Sequence, residues 1–193
     1  RLRSCTQPEK SAAVIVFGAN PSASTMKMSA AGALCRALRE HAPEVKTLLG
    51  GVHVSALPER TLQEEAVDFV CEGEGPLTVR ALVNCLKVGG EGLDRVPGLW
   101  YRLGDGSVAH AAPAALLQDL EGELPGVAWD LLPMGKYRAH NWHGFENLEA
   151  RSPYAVIYTS LGCPFKCTFC CINAPFGRPA IRYRDPDGVV REI

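Results

Sequence analysis

Apolar and polar positions alternate along the first ninety residues in blocks of two periods. Residues 12–18 (AAVIVFG) form a short continuous apolar run rich in β-branched side chains, which predicts a strand buried on both faces. The polar stretch 19–25 (ANPSAST) follows it. Then Met28, Ala31, Leu34, Cys35 and Leu38 recur at helical spacing, predicting an amphipathic helix over about 25–41 with Ser24 or Thr25 as its cap. Residues 44–49 predict a second strand, ending in Gly50 and Gly51. A short helix is expected over 59–65. Residues 67–71 predict a third strand, which runs into residues 72–75 (EGEG), and Pro76 opens a helix reaching about Lys87. Proline suits the first helical position because the N–H it lacks has no partner there. Strand and helix alternating three times predicts an α/β fold with a doubly wound parallel sheet, Rossmann-like in its order.

The pattern changes after residue 88. Residues 98–102 and 107–110 flank Gly104-Asp105-Gly106, a hairpin signal. Residues 113–133 hold three prolines and little periodicity, as a linker would. His140, Trp142, His143 and Phe145 cluster in sequence, and packing is the expected role of both histidines. Residues 154–158 (YAVIY) predict another buried strand, with the loop 159–162 after it. Three regions are therefore expected: 1–88, a linker with a hairpin over 89–150, and 151–193. The chain opens on Arg1 and closes on residues 187–193, which read as the first turn of a helix, so it is expected to be part of a longer protein.

Composition narrows the chemistry. Twenty basic against 21 acidic residues leave a net charge of −1, which offers no electrostatic case for nucleic acid or an anionic membrane. No apolar run approaches the roughly 18 residues of a membrane span. Of eight cysteines, Cys163, Cys167, Cys170 and Cys171 fall within nine residues while the rest are scattered, which suggests a metal site in a reducing, cytoplasmic compartment. Cys35, Cys71 and Cys85 are expected to be small buried apolar residues.

Cys163, Cys167 and Cys170 stand at spacing C-x₃-C-x₂-C. Three thiolates on one short loop suit three irons of a four-iron cluster and leave the fourth iron open. Structural zinc usually takes four ligands in two separated pairs, and ferredoxin-type clusters use four thiolates. Cys171 points away from its neighbour Cys170 and is a poor fourth ligand. An open 4Fe–4S site, zinc, and other metal arrangements remain the alternatives on residue chemistry alone.

Cys163-x₃-Cys167-x-Phe169-Cys170, with the preceding residues 159–162 (TSLG), resembles the defining motif of the radical S-adenosylmethionine (radical SAM) superfamily. The resemblance implies that Cys163, Cys167 and Cys170 bind three irons, that S-adenosylmethionine occupies the fourth, and that Phe169 lies near the adenine. The reduced cluster then cleaves S-adenosylmethionine to a 5′-deoxyadenosyl radical. The three loops upstream, residues 20–25, 50–53 and 72–75, resemble those of the cobalamin-binding domain that precedes the partial β/α barrel in many such enzymes. By that match Ser22, Ser24, Thr25, Gly50, Gly51, Gly73 and Glu74 lie near the cobalamin, and His53 matches the family's loop histidine. What the resemblance implies is an enzyme that transfers a methyl group to an unactivated carbon, occasionally phosphorus, of a small-molecule substrate, while some members of the family instead catalyse ring rearrangement or cyclisation. Flavodoxin or ferredoxin would supply its electrons. Residues 151–193 would be the start of its barrel. The rival is a non-catalytic zinc- or cluster-stabilised ligand-binding module.

Overall fold

The computed structural model describes residues 14–19, 24–124, 126–138 and 153–193. The first strand and helix are β1 (Val14–Ala19) and α1 (Ser24–His41). Next come β2 (Lys46–Gly51), α2 (Val52–Ala56), α3 (Pro58–Glu64), β3 (Phe69–Cys71) and α4 (Pro76–Lys87). The hairpin strands are β4 (Leu99–Arg102) and β5 (Val108–His110). The chain ends in α5 (Leu120–Glu123), β6 (Ser160–Cys163), β7 (Ala180–Tyr183) and α6 (Pro186–Glu192).

The main sheet runs β1-β2-β3-β4-β5. Its first three strands are parallel, with Val16 opposite Leu48 and Leu49 opposite Val70. The hairpin then adds two antiparallel strands, Trp100 facing Val70 and His110 facing Trp100. The alternating pleat sends successive apolar residues to opposite faces. Leu48, Phe69, Cys71, Leu99 and Tyr101 meet Leu82 of α4 on one face. Leu49, Val54, Leu62, Val67 and Val70 meet Cys35 of α1 on the other. Helices thus cover both faces, as the α/β pattern predicts. Each fully buried leucine or valine contributes about 1.5–3 kcal/mol.

Polar anchors hold the sheet where strands begin. Thr47 donates to Asp68 Oδ2 through both its backbone N–H (2.8 Å) and its hydroxyl (2.7 Å). The Arg102 guanidinium reaches the carbonyl oxygens of Val67 (2.6 Å), Leu62 and Glu65 (3.1 Å), so the hairpin ties down the carboxyl end of α3 and the approach to β3.

Several expectations shift. The strand over 154–158 does not form: Tyr154, Val156 and Tyr158 are exposed, and the ladder falls on β6 instead, so Cys163 is itself the last strand residue. A short apolar run becomes a strand only where a partner strand meets it, and β7 meets residues 160–163. Leu34 is 44% exposed while Cys35 is fully buried, because the packed stripe of α1 follows Met28, Ala31 and Cys35. Ser24 begins the helix rather than preceding it. Cys35 and Cys71 are buried as expected, and burial pushes both thiols above their ordinary range. Cys85 is only half-buried and lies 3.2 Å from the carbonyl of Glu91. The polar-aromatic group at 140–145 lies outside the described residues.

The chain divides into two compact units, one of residues 1–116 with 162–180, the other of 117–161 with 181–193. The cysteine loop therefore belongs to the unit that carries the main sheet. In the second unit, Arg184 lies between two carboxylates, Glu121 (2.8 Å) and Glu192. Asp119 caps α5 by accepting from Glu121 N and Gly122 N, and Asp185 caps α6 by accepting from Gly188 N.

Candidate functional site: the carboxyl edge of the parallel sheet

All three parallel strands point their carboxyl ends the same way, so the loops after β1, β2 and β3 share one edge, where open α/β sheets bind ligands. The loop after β1 holds Ser22, which lies outside the described residues. Ser24 and Thr25 open α1 on that edge. Gly50 and Gly51 are the last two residues of β2. Gly51 leads directly into α2, a five-residue helix that periodicity could not reveal because it is shorter than two turns. His53 is on α2, half-buried.

The loop after β3 is held from several sides. Gly73 N donates to the hydroxyl of Ser55 on α2 at 3.1 Å. Glu72 N donates to the carbonyl of Gly98 at 2.8 Å, and its carboxylate accepts from Trp100 Nε1 at 2.6 Å. One turn further on, the hydroxyl of the fully buried Thr78 donates to the carbonyl of Pro97 at 2.7 Å. Gly73 has φ of +109°, a conformation that glycine adopts without steric cost. Glu74 sits half-buried beside it. The sequence pointed to Gly73 and Glu74 but not to Ser55, Glu72 and Trp100, the groups that fix their loop. Glu72 adjoins the glycine signal and was within reach; Trp100, 28 positions away, had no local signal.

The cysteine loop lies in the same unit. The turn Ala174–Phe176 packs against α2, and the carbonyl oxygen of Pro175 lies 3.9 Å from where a Cβ on Gly73 would stand. Cys163 is half-buried at the end of β6, and Cys167, Cys170 and Cys171 are exposed; all four are free thiols. Cys170 N donates to the Cys167 carbonyl at 3.1 Å, folding the second half of the loop. Phe169 is 91% exposed. Among the described residues, no three His, Cys, Asp or Glu side chains converge closely enough to hold a metal ion as they stand. The thiols thus suit a soft metal by donor type and by sharing one exposed segment, and not by preformed convergence.

A parallel sheet with a glycine-bearing carboxyl edge suits a ligand-binding α/β domain, and the family model "B12 binding domain" matches residues 8–83. The chain is 39% identical over 135 residues to an uncharacterized methyltransferase of Pyrococcus horikoshii, covering 69% of this chain and 27% of that one. It is 31% identical over 157 residues to the anaerobic magnesium-protoporphyrin IX monomethyl ester cyclase of Synechocystis, covering 81% and 28%. Its fold is similar to the cobalamin-dependent S-adenosylmethionine radical enzyme OxsB, solved with aqua-cobalamin and S-adenosylmethionine bound. That likeness has a TM-score of 0.59 at 19% identity over 93% of this chain and 22% of OxsB. Residues 8–83 are thus a B12-binding domain, and the chain is similar to a part of these longer proteins. It spans little more than a quarter of the length of the two curated relatives. Among the described residues, no helix is long and apolar enough to cross a membrane.

Proposed function

We propose that the protein is a cobalamin-dependent radical SAM enzyme that transfers a methyl group to an unactivated carbon of a small molecule. One observation carries the reading: the C-x₃-C-x₂-C loop and the carboxyl-edge loops of the cobalamin module pack in one compact unit, through Ala174–Phe176 against α2. Methyl transfer is favoured because the more similar of the two curated relatives above is a methyltransferase.

In this reading Cys163, Cys167 and Cys170 hold three irons of a 4Fe–4S cluster, and Phe169 lies beside S-adenosylmethionine. Ser22, Ser24, Thr25, Gly50, Gly51, Gly73 and Glu74 line the cobalamin. When bound, cluster and S-adenosylmethionine together supply the one-electron chemistry that activates the acceptor carbon, and cobalamin supplies the methyl group. The chain's own task is placement. Ser55 and Trp100 hold the loop after β3 in one shape, which lowers the ordering cost of binding. The flanking regions take roles accordingly, 1–88 as the cobalamin side, 89–150 as the connection and 151–193 as the start of the barrel. A cytoplasmic setting and a flavodoxin- or ferredoxin-type electron donor complete the proposal.

Anaerobic reconstitution with iron and sulfide tests it. The expected result is a brown protein with 4Fe–4S absorbance whose EPR spectrum changes on adding S-adenosylmethionine, and which also binds hydroxocobalamin. A colourless protein that retains one zinc would overturn the reading in favour of a metal-stabilised binding module.

A further inference from the structure

We propose that Asn173 is a positioning residue for the cysteine loop, tying the stretch between Cys163 and Cys167 to the turn that rests on α2. The inference depends on the cluster reading above. Asn173 Nδ2 donates to the carbonyl oxygen of Phe165 at 2.9 Å. Phe165 lies midway between Cys163 and Cys167, so this bond fixes the first half of the loop. The Cys170–Cys167 backbone bond reaches only the second half.

Asn173 is itself anchored. Its carbonyl accepts from Phe176 N at 3.0 Å, and Ala174 N donates to the Cys171 carbonyl at 3.0 Å, which closes the turn immediately after the last cysteine. That turn packs against α2 and approaches Gly73. A continuous path of contacts therefore runs from the loop after β3, through the turn and the Asn173 amide, to Phe165. Without the amide, the stretch from Cys163 to Cys167 must pay the full ordering entropy when three thiolates are brought to one point.

The other half of the same amide is unused. Asn173 Oδ1 is buried and has no donor. Buried acceptors without a partner are rare in native proteins. The thiols do not converge in this structure, so the loop has to tighten to hold a cluster. Tightening brings backbone N–H groups of the loop inward, and one of them is expected to pair with this oxygen. Asn173 is then a clasp with one bond made in advance and one made on loading.

The test uses iron content and EPR of the purified protein after anaerobic reconstitution and desalting. Asn173→Ala loses both bonds. Asn173→Asp keeps the side-chain shape and the acceptor but presents an oxygen to the Phe165 carbonyl. Both are expected to retain iron at least about fivefold less well than wild type, the scale of one lost hydrogen bond. Their hydroxocobalamin affinity stays within about twofold, since that side of the fold keeps its own anchors. The residual cluster is expected to show a changed EPR line shape and a weaker response to S-adenosylmethionine. A simple folding defect would instead give less of the same spectrum, and that result overturns the positioning role. Wild-type iron content and spectrum in Asn173→Ala also overturn it while leaving the enzyme reading intact. If wild type itself takes up no iron, both fall. Should Asn173→Ala lose its far-ultraviolet dichroism, the isosteric Asn173→Asp carries the same comparison.

Discussion

The indole Nε1 of Trp100 donates to the Glu72 carboxylate at 2.6 Å, joining an edge hairpin to the loop after the last parallel strand. The opposite face of the contact is also occupied, since the His110 ring stacks on Trp100 with centroids 4.5 Å apart at 22°. An antiparallel hairpin that continues a parallel sheet thus sets the shape of a loop on the sheet's binding edge.

Replacing Trp100 by Phe keeps an aromatic ring for the stack and removes the donor. Hydrogen bonds to charged groups are worth about 1.5–3 kcal/mol, and the half-buried setting here places the loss near the lower bound. The expected outcome is an affinity for hydroxocobalamin about tenfold weaker, which corresponds to roughly 1.4 kcal/mol, with the sheet intact. Spectrophotometric titration measures it. Unchanged affinity with a lower melting temperature would assign Trp100 to stability alone.

Gly98 presents a sharper case. Its φ is +73°, and a Cβ there would stand 2.6 Å from the Glu72 carbonyl oxygen and 3.0 Å from the Thr78 hydroxyl. Neither is the free end of a long side chain. Gly98→Ala is expected to destabilise the sheet unit by about 2–3 kcal/mol, combining left-handed strain with overpacking. Urea unfolding checks this, and a change within a few tenths would show that the β3 loop yields.

On the proposed cluster reading the cysteines separate by role. Cys167→Ala is expected to abolish cluster assembly, whereas Cys171→Ala leaves iron and sulfide content near the wild-type value. Equal losses in the two would show the ligand assignment to be wrong.

Acid acts on the second unit. Hydrogen bonding to Arg184 holds the Glu192 carboxyl below its ordinary value of 4.5, and the Val127 N–H adds to the effect. A depressed carboxylate contributes stability above its unfolded value and loses it as pH falls through the folded one. Amide exchange around α6 is therefore expected to quicken as pH drops below 4.5, after correction for intrinsic rates. Arg184→Met flattens that dependence. An unchanged profile in the variant would show that other groups govern the acid response.

Much of the architecture was readable in short windows. The β-branched run before Gly18 and the proline at position 76 marked β1 and α4 because strand and helix impose different repeats on neighbouring residues. Where the reading slipped, a partner made the difference. Residues 154–158 carry a strand's composition, yet the ladder lies at Ser160–Cys163, where β7 pairs with it. Helix α2 was hidden because five residues do not complete two turns, although it carries Ser55 and borders the cysteine turn.

Taken alone, the sequence determined the donor chemistry: three thiols at a spacing suited to one metal cluster, and three strands whose glycine and polar endings mark one sheet edge. Those are properties of residues a few positions apart, set by covalent spacing and local repeat. Only the tertiary structure decided that Trp100 holds Glu72, that Ser55 holds Gly73, that Asn173 clasps Phe165, and that the cysteine turn rests on α2. Three of these contacts join segments 18 residues or more apart, and Asn173 meets Phe165 across a loop. Such bonds form after the sheet's buried faces have brought distant loops to one edge, and no local pattern encodes them.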